Sequence, residues 1–253
     1  MQILILGGTA EARALAAALA RRTEVAVTLS LAGRTKEPVP QAVPVRRGGF
    51  GGAEGLARHL RDEAVDVLID ATHPYAAAIS ANAAKAAADA GVRLLALRRP
   101  PWNQVGGDDW IEVEDTAGAI PALGKTPRCV FVALGRNELQ PFEAAPQHFY
   151  LVRSVDPVEP PLAVPNAEYI TARGPFSEAE ERALLEDHRV DVVVAKNSGG
   201  DATYGKIAAA RALGIPVIML KRPVLPDAES VETVDEVLAW LDHALTLSTA
   251  RGV

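Results

Sequence analysis

ILILGGTAEAR, Ile3 to Arg13, runs an apolar strand pattern into two glycines and then, with no intervening loop, into an alanine-rich helix pattern. Glycines at such a turn let the chain bend tightly and let backbone N–H groups come close to a bound pyrophosphate. The start of a helix favours anions for the same reason. The full G-x-G-x-x-G is not present, because Thr9, Ala10 and Glu11 follow Gly7-Gly8. Taken alone, the turn is equally readable as a strand-to-helix connection with no ligand.

Outward from this turn the same rhythm repeats. Gln2–Leu6 reads as a strand and Ala10–Arg21 as a helix; strands follow at Val25–Leu29 and, weakly, near Val43–Arg46. Gly52–Glu63 is helical, Val65–Asp70 a strand, Tyr75–Ala90 helical and Arg93–Leu97 a strand. Strands alternating with helices of about a dozen residues predict βαβ units and a parallel sheet. RRPPW at Arg98–Trp102 breaks the rhythm, since consecutive prolines continue neither a helix nor a central strand. The boundary is therefore placed here, giving domains 1–100 and 101–253. The second half shows strands at Trp110–Val113, Cys129–Leu134, Phe149–Val152, Tyr169–Ala172, Val190–Ala195 and Val217–Leu220, with an extended, proline-rich loop at Val155–Asn166. Capping boxes at Ser177/Glu180 and Thr233/Glu236 mark two helix starts. The expected fold class is α/β: two Rossmann-like domains with parallel sheets flanked by helices and an active-site cleft between them.

Composition narrows the function classes. A formal charge of −6 argues against a non-specific nucleic-acid binder, without excluding a local basic patch. No uncharged apolar stretch reaches the roughly 18 residues of a membrane helix, and Met1 leads straight into a strand pattern. The single cysteine, Cys129, stands in CVFVAL and reads as a buried strand residue; a reducing cytoplasm is the expected compartment. The five histidines are scattered without ligand spacing, so no metal site is expected.

Polar residues collect at predicted strand ends, where open α/β sheets bind ligands. Gly7, Gly8 and Thr9 close the first strand. After the second comes Ser30-Leu31-Ala32-Gly33-Arg34-Thr35, with no carboxylate to bind a ribose 2′-hydroxyl and with Arg34 suited to a 2′-phosphate. NADPH is thus favoured over NADH. Gly49 lies in a second glycine cluster, Gly48–Gly52, read either as a further approach to the cofactor or as a connection. DATHPYA, Asp70 to Ala76, brings Thr72, His73 and Tyr75 to the fourth strand's end, and KNSGG, Lys196 to Gly200, forms a comparable turn in the second half.

GGTAEAR at Gly7–Arg13, DATHPYA, RRP with Trp102, ALGR at Ala133–Arg136, ARGPF at Ala172–Phe176, KNSGG and KRP at Lys221–Pro223 together resemble the CobK/CbiJ family of precorrin-6A reductases in corrin-ring biosynthesis. The resemblance spans nearly the whole chain. It implies hydride transfer from NADPH to a ring D double bond of precorrin-6A, giving precorrin-6B, with a small-molecule tetrapyrrole as the partner; a monomer is expected, though the sequence itself does not fix the oligomeric state. Such a substrate carries a rim of carboxylates, and arginine binds carboxylates in two-pronged fashion. Arg13, Arg98, Arg136, Arg153, Arg173, Lys196 and Lys221, with Ser198, Gly199 and Tyr75, are the substrate-binding candidates. Thr72 and His73 complete the cofactor set. His73, Tyr75 and Tyr204 are candidate proton donors; His73 equally reads as a brace for the turn before Pro74, and solvent could supply the proton.

Two rivals remain. GDATYGK at Gly200–Lys206 matches the phosphate-loop pattern, but Ile207 stands where a magnesium-binding hydroxyl belongs. A non-catalytic dinucleotide sensor would explain the first glycine turn but not the basic residues of the second half.

Overall fold

The computed structural model describes residues 1–33 and 39–250, the side chains of 247–250 excepted. Arg34 and Thr35 therefore lie outside the described residues. The chain divides into two compact units, Met1–Arg99 with Pro223–Val253, and Pro100–Arg222.

In the first unit, β1 (Gln2–Leu6), α1 (Ala10–Leu19), β2 (Ala26–Leu31), β3 (Val45–Arg47), α2 (Gly52–Asp62), β4 (Val67–Asp70), α3 (Ala77–Ala90) and β5 (Arg93–Leu97) follow one another. In the second come β6 (Trp110–Val113), α4 (Thr116–Leu123), β7 (Cys129–Ala133), β8 (Phe149–Ser154), β9 (Ala167–Thr171), α5 (Glu178–Asp187), β10 (Val192–Lys196), α6 (Gly205–Leu213) and β11 (Val217–Leu220). The chain then returns with β12 (Ser230–Val231) and α7 (Val234–Ala250).

Every described strand pairing is parallel. The first sheet has the order β3-β2-β1-β4-β5-β12 and the second β9-β8-β7-β10-β11-β6. These are the same arrangement. In each, strand order reverses at a central pair, β1/β4 or β7/β10, and a sixth strand is added beside the fifth. That sixth strand is exchanged: the segment after β5 supplies β6 to the second sheet, and the segment after β11 supplies β12 to the first.

This exchange corrects the boundary read as 101–253. The N–H groups of Ala96 and Arg98 donate to the carbonyls of Glu229 and Val231 at 2.8 Å, fixing β12 to β5. Val237 and Leu241 of α7, both fully buried, join Leu15 and Leu19 of α1 in one apolar cluster. The final segment is thus part of the first unit's core.

Both faces of each sheet are covered, which is why the strands read as near-continuous apolar runs. Alternation along β1 divides its side chains: Ile3 and Ile5 meet α1 and α7, whereas Leu4 and Leu6 meet Leu56 and Leu60 of α2 and Ala83 and Ala87 of α3. In the second unit Phe131, Val193 and Met219 pack with Leu185 of α5 and Ile207 of α6. Cys129, read as buried, is only partly so, because it opens β7 at the amino-terminal end of that strand. Burial and the nearby Asp191 push its thiol up to about 11, which disfavours a nucleophilic thiolate. No described helix is long and apolar enough to cross a membrane.

Candidate active site

The first unit's order reverses between β1 and β4, and there the Gly7–Thr9 turn stands beside the Asp70–Tyr75 turn. The Gly7 N–H donates to the Ser30 carbonyl at 2.9 Å, and a Cβ on Gly7 would meet Leu29 Cδ1 at 2.6 Å. Gly8 has φ +122°, a backbone that favours glycine, and nothing lies within 4 Å of where its Cβ would stand. The turn is therefore tight behind and open in front. Thr9 caps α1, its Oγ1 accepting from the Ala12 N–H at 3.1 Å, and the same hydroxyl donates to the Ala71 carbonyl at 2.9 Å. One side chain thus joins the ends of β1 and β4.

On the β4 side, the buried Asp70 accepts from the Thr72 hydroxyl at 2.7 Å and the Thr72 N–H at 3.2 Å. His73 Nδ1 accepts from the Tyr75 N–H at 3.3 Å, and the two rings lie 5.7 Å apart. Among the neighbouring predicted residues, Ser30 is only 5% exposed and serves through its carbonyl rather than facing outward. Gly33 (φ +75°) approaches Gly48, whose N–H donates to the Leu31 carbonyl. Gly49 is exposed with open space around it. The cluster is ordered by a residue that the sequence reading passed over: Arg46 donates to the carbonyls of Gly48 and Gly49 at 2.5 and 3.0 Å and stacks 3.7 Å from the Phe50 ring.

The substrate-binding candidates separate into those at sheet ends and those used internally. Arg13 is exposed on α1. Arg98 holds the Pro226 carbonyl at 2.8 Å, so part of its guanidinium braces the returning segment. Beside it, Arg99 pairs with Glu11 at 2.7 Å in the first turn of α1. In the second unit Arg136, Lys196, Arg173 and Lys221 follow the carboxyl ends of β7, β10, β9 and β11, or end them. Lys196 pairs with Glu138 at 2.5 Å and Lys221 with Glu114 at 2.9 Å.

Arg153 corrects the reading of it as a ligand-facing cation. It lies within β8, 8% exposed, with both terminal nitrogens on the carboxylate of Glu181 and its guanidinium 3.8 Å from the Phe176 ring. A cation already paired and desolvated in this way is a core element. Tyr204 is partly buried against the second unit's apolar cluster, and its hydroxyl accepts from Arg211 at 2.9 Å, which leaves its own O–H to donate. Lys206, the lysine of GDATYGK, is 5% exposed and donates to the Thr203 carbonyl at 2.6 Å, so it is not turned outward to a phosphate.

The turn after β10, containing Ser198 and Gly199, is braced from behind. The Asn197 amide accepts from the Trp102 N–H at 2.7 Å and donates to the Trp102 carbonyl at 2.9 Å. Gly199 has φ +68°, and a Cβ there would run into the Pro100 carbonyl and the Arg222 guanidinium. RRPPW, read as a boundary and as one of the motifs of the resemblance, is also a support for KNSGG.

A model of the family described as precorrin-6x reductase CbiJ/CobK matches residues 2–242. The chain belongs to this family. A precorrin-6A reductase of Sinorhizobium sp is 56% identical over 244 residues, covering 96% of this chain and 94% of its own length. Another, of Rhodobacter capsulatus, is 48% identical over 253 residues, covering 100% and 99%. A cobalt-precorrin-6A reductase of Priestia megaterium is 28% identical over 258 residues. The solved structure of a CobK precorrin-6A reductase, 47% identical, superposes with a TM-score of 0.92 over 96% of each chain. Membership of the precorrin-6x reductase family makes the chain an oxidoreductase of Rossmann-like fold, in agreement with the two parallel sheets. It also separates the chain from the phosphate-loop hydrolases suggested by GDATYGK.

Proposed function

We propose that the chain reduces precorrin-6A to precorrin-6B with NADPH, in cobalamin biosynthesis. The observation that carries the cofactor assignment is the Gly7–Thr9 turn, closed behind by Leu29 and open in front of Gly8, at the point where strand order reverses. The substrate assignment rests on the relatives named above and on the cations at the carboxyl ends of β7, β9, β10 and β11.

The residues present fit a dinucleotide. Gly7, Gly8 and the start of α1 would take the pyrophosphate, with Gly33, Gly49 and Thr72 bordering it and Arg34 and Thr35 reserved for the 2′-phosphate. When bound, NADPH supplies a hydride, and a proton taken up at the neighbouring carbon completes conversion of the ring D C=C to CH–CH. The protein's part is to hold donor and acceptor in line and to match the substrate's carboxylates. Lys196 would exchange Glu138 for a substrate carboxylate; Arg136, Arg173 and Lys221 are placed for the same task. The candidate proton donors are His73 and Tyr75 at the end of β4, Tyr204 beside Arg211, or solvent.

Mixing the purified protein with precorrin-6A and either NADPH or NADH tests this reading. The expected result is loss of reduced-nicotinamide absorbance coupled to a shift of the macrocycle bands, faster with NADPH. Arg34→Ala should weaken NADPH much more than NADH. No spectral change with either cofactor would contradict the assignment.

A further inference from the structure

The Lys196–Thr203 turn has its backbone carbonyls drawn onto donors. The Asn197 carbonyl accepts from Arg222 Nε at 2.9 Å, and the Ser198 carbonyl from Arg222 Nη2 at 3.0 Å. The Gly200 carbonyl accepts from Trp102 Nε1 at 2.9 Å, and the Thr203 carbonyl from Lys206 Nζ at 2.6 Å. The donors are themselves held. Asn197 grips the Trp102 peptide at both its N–H and its carbonyl, and Arg222 also donates to the Pro100 carbonyl at 3.0 Å. The tight fit at Gly199 leaves the turn no room to slide against Pro100 and Arg222.

A carbonyl oxygen presented to a carboxylate repels it. One that is already accepting from a guanidinium or an indole is turned away and largely neutralised. With four carbonyls so engaged, the turn between Lys196 and α6 offers an anion little of its negative backbone. Its acidic residue, Asp201, is exposed.

We propose that Trp102 and Arg222 are positioning residues for the tetrapyrrole: they hold the Lys196–Thr203 turn with its carbonyls withdrawn, so that it accepts a substrate carboxylate. This rests on the substrate class proposed above. Neither residue touches the reacting carbons; each acts through the turn. The arrangement also gives a physical reason why proline, tryptophan and arginine from the two ends of the second unit's segment converge on one loop.

Two conservative variants test it. Trp102→Phe keeps a ring beneath Lys206 and Tyr204 but removes the bond to Gly200. Arg222→Lys keeps the charge but loses the fork that spans Asn197 and Ser198. Equilibrium binding of precorrin-6A without cofactor, followed by its own absorbance, is measured alongside steady-state kinetics and thermal melting. We expect Kd and KM for precorrin-6A to rise about tenfold, the loss of roughly one hydrogen bond, with KM for NADPH and kcat within about twofold. Wild-type Kd in both variants, or a loss that falls equally on NADPH and kcat, would overturn the proposal. The binding arm needs no turnover. If the wild type binds precorrin-6A without reducing it, the functional reading falls while the variants still decide this one. If the wild type does not bind it, both fall.

Discussion

At Lys206, burial pushes the ammonium pKa down from 10.5 to about 7, with Arg153 adding to the shift and Glu181 opposing it. The unfolded chain binds this proton up to about pH 10.5, whereas the folded chain gives it up near pH 7. Between those values the unfolded state holds more protons, so stability rises with pH; below about pH 7 the full cost of burying the charge is present. Urea unfolding of the wild type should therefore show a gain of up to about 1.4 kcal/mol per pH unit between pH 7 and pH 9. Lys206→Met should flatten that interval, and parallel profiles for the two proteins would contradict the assignment. The sequence presents Lys206 as the last residue of a phosphate-loop pattern and Arg153 as a cation past a strand. Residue type and spacing cannot report which way such a side chain points. Here a carboxylate contributed by α5 and a carbonyl one turn away draw both inward.

Thr9 matters as part of an element boundary, since its hydroxyl both caps α1 and ties β1 to β4. Thr9→Ala removes both bonds. We expect a loss of about 1–2 kcal/mol in unfolding free energy, accompanied by a rise in KM for NADPH and little change in KM for precorrin-6A. A change confined to precorrin-6A would contradict its placement at the cofactor end. Most elements were legible because buried parallel strands and capped helices carry strong local signals: β5, β6 and β11 match their predicted bounds, and the Ser177 and Thr233 caps form as read. β12 was not legible. Ser230–Val231 is too short for any periodicity, and what makes it a strand is β5, far upstream in the chain. The braces at Arg46, Trp102, Asn197 and Arg222 were missed for a related reason: each acts through backbone carbonyls, which leave no pattern in side-chain chemistry.

Across the whole molecule the exchanged sixth strands decide how the chain can be divided. Residues 100–222 contain a complete six-stranded sheet in one continuous segment, whereas residues 1–99 lack β12 and α7. The fragment 100–222 should melt cooperatively by circular dichroism. Residues 1–99 should do so only when joined to 223–253; a cooperative melt of 1–99 alone would contradict the role given to the returning segment. We propose that the protein transfers hydride from a nicotinamide to precorrin-6A. This is tested most directly by running the reaction with NADPH deuterated at C4, each face in turn, and determining the product's mass. The expected product is two hydrogens richer than precorrin-6A and carries one deuterium from one of the two labelled faces. An unreduced macrocycle, or a reduced one that takes no deuterium from either, would contradict it.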